Sequence, residues 1–364
     1  MEKTKIGVVG CGDISGIYLT NLTTKFANTR VVGVYDLVYE KAEKAAGKFG
    51  VPKKYGSLQE LLADPDVEIV LNLTRPYQHH EVTMAAIEAG KHVYSEKPLG
   101  ASLEEALEIK DAAKNKGVQV AGAPDTFLGA GSQTCRKLVD SGFIGKPVGA
   151  SAFFACPGHE RWHPDPDFYY QYGGGPVFDM GPYYITALVN LLGPVKSVSG
   201  MGQKTRKTRT ITASQKFGET IQVNVDTHIA ATLSFECGAI CTMMMSFDVL
   251  AHNLPILEVY GTEGTLAVPD PNTFGGPVKL FRREQSEFLD TPLTFLYHEN
   301  SRGLGLADMA LAIKNGGKPR AGIELFYHVF EIMASIQKSS DSMKEIKIDS
   351  RAEKPEPMPP GILE

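Results

Sequence analysis

The tripeptide Glu96-Lys97-Pro98 puts charge and a proline at the end of a short apolar run, His92-Val93-Tyr94. Packing alone gives no reason for charge at the tip of a buried strand. In an open parallel sheet that tip faces the ligand crevice. A lysine held there, partly out of water, has its neutral form favoured and can exchange protons near neutral pH. A second group follows Gly173-Gly174-Gly175, where Asp179 and Tyr183 are four residues apart and on a helix share one face. A carboxylate beside a phenol at a glycine-flanked helix start can bind and protonate the oxygen of a polyol. The preceding loop, Gly158 to Tyr170, carries Arg161, Trp162, His163 and Asp165 among further aromatics. That mix suits a carbohydrate, whose rings stack on aromatics while its hydroxyls meet Asp, His and Arg. Trp162 and His163 are its candidate substrate contacts. His159 and His163 lie in a proline-bearing loop with no shared helix face, so no metal site is expected.

These residues need a scaffold, and the N-terminal part spells one. Lys5-Ile6-Gly7-Val8-Val9 reads as a buried parallel strand, followed at once by Gly10-Cys11-Gly12-Asp13-Ile14-Ser15. Gly10 permits the tight turn, and Gly12 lets the backbone approach a pyrophosphate at the start of the next helix. Asp13 and Ile14 complete that cofactor loop, and Ser15 stands where a third glycine is usual. Ile14, Ile17, Tyr18 and Leu22 give the helix an apolar face. The next strand, Val31 to Tyr35, ends in Asp36. An acid there accepts hydrogen bonds from the adenosine ribose and repels a 2′-phosphate, and Leu37 follows with no arginine beside it. The expected cofactor is NAD rather than NADP.

Short apolar strands then alternate with helices. Ser57 with Glu60 and Ser102 with Glu105 mark two helix starts as capping boxes. A doubly wound parallel sheet over residues 1–123 follows from this rhythm. Beyond it the pattern changes to long strand-like segments, with Ile229, Ala231, Leu233 and Phe235 in strict alternation. Residues 124–345 are expected to form an α+β domain with a large, open, mostly antiparallel sheet that binds substrate and joins subunits. In it a helix begins near Phe178, with Pro182 expected in its first turn. Further helices fall near Gly305–Lys314 and Glu324–Gln337. Residues 346–364, rich in proline toward the end, read as an unstructured or clamped arm.

Composition narrows the function classes. A chain of 364 residues with 43% hydrophobic and 22% charged residues is an ordinary soluble globular protein of about two domains. Its net charge of −5 argues against a nucleic-acid partner. The basic run Lys204 to Arg209 is short and lacks interleaved aromatics, so it reads as a solvated strand edge or loop. The five cysteines are odd in number, scattered and without a CxxC pair, so neither a disulfide frame nor a zinc site is expected, which fits a reducing compartment. No signal-peptide pattern and no apolar run of about 18 residues occurs, so a cytoplasmic protein without membrane association is expected.

Together these motifs resemble the Gfo/Idh/MocA oxidoreductase family. The resemblance rests on Gly10-x-Gly12, Thr74-x-Pro76-x-x-His79, Ala89-Gly90-Lys91-His92-Val93 running into Glu96-Lys97-Pro98, and Gly174-Gly175 through Asp179-x-Gly181-x-Tyr183. Tyr260 to Thr265 adds a late sheet signature, and the match extends to about residue 340. It implies an NAD(P)-dependent enzyme acting on a secondary alcohol of a sugar, glycoside or cyclitol. It places Lys97 between nicotinamide and substrate, Thr74, Pro76, His79 and Glu96 around the cofactor, and Asp179 and Tyr183 on the substrate. Tyr183 resembles the branch with a tyrosine acid, where many members have histidine. Thr186 and Asp125 depart from the common pattern. Two other activities fit the same residues: glycoside cleavage through transient NAD-dependent oxidation, and NAD sensing without catalysis. A homodimer or homotetramer is expected.

Overall fold

The computed structural model describes residues 2–361 and 363. The chain forms two compact units. The first takes the residues up to Gly129, returns for Phe295–Tyr327, and closes with the stretch from Pro355; the second comprises Ala130–Thr294 and His328–Lys354.

The first unit is built on six strands, β1 (Thr4–Val9), β2 (Thr29–Tyr35), β3 (Lys53–Lys54), β4 (Ile69–Asn72), β5 (His92–Ser95) and β6 (Val120–Gly122). They run parallel in the order β3-β2-β1-β4-β5-β6. The order reverses between β1 and β4, so the crevice that binds ligands in such sheets lies at the C-terminal ends of these strands. Helices α1 (Ser15–Thr24), α2 (Tyr39–Phe49), α3 (Leu58–Ala63), α4 (His79–Glu88) and α5 (Leu103–Lys116) fill the crossovers. All four residues of β4 are buried, which explains why it reads as a continuous apolar run rather than an alternation. The capping pairs form: Glu60 N–H donates to Ser57 Oγ at 3.2 Å and Glu105 N–H to Ser102 Oγ at 3.3 Å. The glutamates reach one residue further back than a standard box, to the N–H groups of Gly56 and Ala101. In α1 the buried face is Tyr18, Leu19 and Leu22, whereas Ile14 is exposed at its start.

The second unit starts with α6 (Ala130–Asp140), β7 (Pro147–Ala155) and α7 (Pro176–Leu192). Strands β8 (Val195–Gln203), β9 (Thr208–Thr210), β10 (Thr220–Gln222), β11 (His228–Phe235), β12 (Ile240–Ser246), β13 (Leu257–Gly261), β14 (Gly264–Val268), β15 (Val278–Arg282) and β16 (Leu289–Thr291) follow. The chain then supplies α8 (Leu304–Lys314) to the first unit before α9 (Ile323–Ser342) and β17 (Ile346–Lys347). The large sheet has the order β16-β15-β14-β13-β7-β12-β11-β8-β17. Only β7 and β12 are parallel; all other neighbours are antiparallel. Ile229, Ala231, Leu233 and Phe235 are all buried, as their alternation requires. The β9–β10 ribbon stands apart, closed by a small core of Tyr170, Ile211, Ile221, Val223 and Phe247.

The described residues from Pro355 on form a clamped arm without regular secondary structure. Arg320 donates to Glu356 O at 2.9 Å and to Pro357 O at 3.1 Å, and Met358 and Leu363 are buried. Among the described residues, no helix is long and apolar enough to cross a membrane.

Candidate active site

In the first unit the site begins where β1 ends. Gly10 has φ +98°, and a Cβ there would stand 2.7 Å from Leu73 O, so the turn admits only glycine. Gly12 is different. It is exposed, and a Cβ would find nothing within 4 Å. The protein itself leaves that space open. Ser15 is buried and donates its Oγ–H to Gly12 O at 2.6 Å, closing the turn into α1 where a third glycine is usual. Asp13 and Ile14 are exposed on its rim. At the end of β2, Asp36 accepts the Cys11 N–H at 2.7 Å through Oδ2 and the Val38 N–H at 2.8 Å through Oδ1. Burial first, then the charge of Asp36, pushes the Cys11 thiol up to about 12, so it stays protonated.

The tips of β4 and β5 are held by buried polar side chains. Asn72 donates to His79 O at 3.1 Å and accepts the hydroxyl of Thr74 at 2.6 Å, fixing the loop that contains Pro76. The His79 ring lies between two carbonyls, with Nδ1 2.7 Å from Pro98 O and Nε2 3.0 Å from Thr74 O. Burial lowers its affinity for a second proton, against the pull of those carbonyls. The neutral ring has one N–H to give, and the shorter Nδ1 contact makes Pro98 O its acceptor, which ties the start of α4 to the residue that follows Lys97. Glu96 works from the other side: Oε2 accepts the Lys97 N–H at 3.1 Å, and Oε1 accepts the Tyr18 hydroxyl at 2.7 Å. Lys97 itself is half-buried.

In the second unit, Asp179 lies in the first turn of α7 and Tyr183 one turn further on. Pro182 is not in the first turn, as the sequence suggested. Pro176 takes the opening position, so Pro182 sits inside the helix and deprives Phe178 O of its partner amide. His159 Nε2 is 3.0 Å from Asp179 Oδ2, and Trp162 Nε1–H donates to His159 Nδ1 at 3.2 Å. His163 accepts the Asp165 N–H at 3.0 Å, and its ring packs edge-on against Trp162, Phe168 and Tyr169. Trp162 keeps 61% of its surface exposed.

The loop is anchored from below by an ion-pair network. Arg209 Nη1 donates to Glu160 Oε1 at 2.7 Å and its Nη2 to Asp248, while Tyr170 donates to the other Glu160 oxygen. Arg209 is only 4% exposed. This corrects the reading of the basic run as solvated throughout: its last residue turns inward, because two buried carboxylates demand a cation.

Residues 4–123 match an oxidoreductase family with an NAD-binding Rossmann fold, GFO/IDH/MocA, and residues 132–267 match the GFO/IDH/MocA C-terminal domain. The chain belongs to the Gfo/Idh/MocA oxidoreductase family. It is 28% identical to the 1,5-anhydro-D-fructose reductase of Ensifer adhaerens over 327 residues, covering 86% of this chain and 90% of that protein. It is 36% identical to the inositol 2-dehydrogenase/D-chiro-inositol 3-dehydrogenase of Lactiplantibacillus plantarum over 148 residues, which is 40% of this chain and 42% of that protein. Its fold resembles that of levoglucosan dehydrogenase in complex with NADH and levoglucosan, with a TM-score of 0.81 at 21% identity, over 96% of this chain and 100% of that one.

In this Gfo/Idh/MocA protein the first unit brings Gly10, Gly12, Asp36, Thr74, His79, Glu96 and Lys97 to the C-terminal ends of β1, β2, β4 and β5. The open space at Gly12 and the N-terminus of α1 fit a dinucleotide pyrophosphate. The second unit joins Asp179 to Trp162 through His159, a residue that sequence reasoning weighed only as an improbable metal ligand. Asn72 and Tyr18 were also missed. Nothing in their local sequence distinguishes them from ordinary buried residues.

Proposed function

We propose that this protein is an NAD-dependent dehydrogenase that moves hydride between nicotinamide and a secondary alcohol of a sugar, glycoside or cyclitol. The observation that carries this reading is the start of α7. There a carboxylate and a phenol stand one turn apart, His159 is hydrogen-bonded to the carboxylate, and an exposed indole donates to the other side of the His159 ring. That is a set of groups for gripping vicinal hydroxyls on a ring. Relatives named for inositol and for an anhydrosugar support a cyclic polyol.

Gly12, Asp13 and Ile14 hold the pyrophosphate at the N-terminus of α1, and Asp36 accepts the ribose hydroxyls. Its oxygens have lone pairs left after Cys11 and Val38. Bound NAD supplies the hydride acceptor. As the carbinol C–H bond gives up its electron pair, Lys97 takes the hydroxyl proton. In the second unit Tyr183 donates to a substrate oxygen, and Asp179 accepts from a substrate hydroxyl. Glu96 and His79 hold the backbone on either side of Lys97.

The test is NADH formation from NAD at mildly alkaline pH with a panel of aldoses, inositols, anhydrosugars and glycosides, following each by mass. One substrate should give NADH, and Lys97→Met should lower its turnover by about 10²–10⁴-fold while NADH still binds. Loss of glycoside without NADH would replace this reading with redox-assisted cleavage. Full turnover in Lys97→Met would remove the lysine from the chemistry.

A further inference from the structure

We infer that His159 is a positioning residue for Asp179, holding its carboxylate in one orientation as a hydrogen-bond acceptor, and that Trp162 selects the tautomer of His159 that does so. This rests on the reading above, in which Asp179 meets the substrate.

The direction of the chain of hydrogen bonds follows from its first member. An indole N–H can only donate, and Trp162 Nε1 is 3.2 Å from His159 Nδ1. Nδ1 is therefore the acceptor, and a neutral imidazole with an unprotonated Nδ1 carries its proton on Nε2. Nε2 lies 3.0 Å from Asp179 Oδ2, so that N–H donates to the carboxylate. Without the indole the ring could place its proton on Nδ1 and turn a lone pair toward the carboxylate.

The ring has little freedom to do anything else. Tyr169 and Phe247 pack on it with centroids at 4.3 and 4.6 Å, and Trp162 meets it edge-on at 5.4 Å. Its backbone N–H donates to the Tyr170 hydroxyl at 3.1 Å, which ties the turn to the Glu160–Arg209 pair. The His159 and Asp179 side chains are only 10% and 15% exposed. A carboxylate fixed this way is acceptor-only. At that contact it takes a hydroxyl of the substrate and rejects a carboxylate.

Three variants test this. His159→Phe keeps a ring but removes the donor, His159→Gln restores an N–H within reach of Asp179, and Trp162→Phe removes only the indole N–H. With the substrate found above, His159→Phe should lower kcat/KM by about 10²-fold with NADH binding unchanged, the scale expected for a misplaced substrate contact. His159→Gln should recover most of that loss, and Trp162→Phe should fall between. Nitrogen NMR of the unliganded wild type should find His159 protonated at Nε2, and Trp162→Phe should shift it toward a mixture. Wild-type turnover in His159→Phe, or a proton on Nδ1, would overturn the inference. Trp162 is largely exposed, so its variant and the spectrum decide the matter even if His159→Phe does not fold. A wild type that binds NADH and oxidises no alcohol would refute the proposed function instead, and the spectrum would still judge the tautomer.

Discussion

Tyr18 in α1 donates its hydroxyl to Glu96 at 2.7 Å, and the other oxygen of that carboxylate accepts the Lys97 amide at 3.1 Å. One carboxylate thus serves both the helix behind the glycine turn and the strand tip that carries the lysine. Burial, with the charge of Glu96 next, pushes the Tyr18 phenol well above its usual range, so it remains a donor. Tyr18→Phe should destabilise the protein by about 1.5–3 kcal/mol, the worth of a hydrogen bond to a charged group, as read by urea denaturation. An unchanged midpoint would mean that Glu96 finds another donor.

The two glycines of the turn should behave differently. Gly10→Ala forces a Cβ onto Leu73 O at a φ that other residues avoid, and should lower the melting temperature and NADH affinity together. Gly12→Ala meets open space and should leave the melting temperature within a few degrees while weakening NADH binding. Differential scanning calorimetry and fluorescence titration with NADH separate the two. Intact NADH affinity in Gly12→Ala would show that the pyrophosphate lies elsewhere.

Asp125 makes a pH prediction. It is buried and accepts the Gly303 and Gly305 N–H groups at 2.8 and 3.0 Å, capping α8 from a distant part of the chain. Burial outweighs those amides and the charge of Arg302, and raises its pKa from 3.8 to about 6. A folded-state pKa above the unfolded one means stability that is fully present below about pH 4 and lost as pH rises through 6. Asp125→Asn keeps an oxygen for both amides and cannot titrate. Its stability relative to wild type should rise by about 3 kcal/mol between pH 4 and 7 and stay level above, measured by urea denaturation. Parallel curves for the two proteins would sink the prediction.

Arg209 should be among the costliest residues to replace in the second unit. Arg209→Met leaves Glu160 and Asp248 buried without their cation and should cost about 3–5 kcal/mol. Arg209→Lys should rescue little, since one ammonium cannot serve the two carboxylates that the guanidinium reaches with separate nitrogens. A lysine variant as stable as wild type would show that charge alone, not the fork, holds the loop.

Short-range features were legible in the sequence because their causes are local. The turn at Gly10, the acid ending β2, the serine caps at 57 and 102 and the alternation in β11 all follow from residues within a few positions of each other. The long-range ones were not. Nothing near Asp125 announces that it caps a helix 178 residues later, or that 295–327 returns to the first unit. Arg209 ends a run of exposed cations, yet its own environment is set by Glu160 and Asp248, 49 and 39 positions away. His159 and Asp179 lie 20 residues apart, across turns whose geometry no periodicity encodes.

The double engagement of Asp36 bears on how this protein could be re-engineered. Its two oxygens already brace the Cys11 and Val38 amides. If Asp36 also receives the ribose, as proposed above, cofactor preference and the shape of the turn are one trait rather than two. Exchanging Asp36 for a residue that tolerates a phosphorylated ribose would unfasten the turn in the same stroke. A route to the other dinucleotide runs through a companion change near Cys11 that restores the brace first.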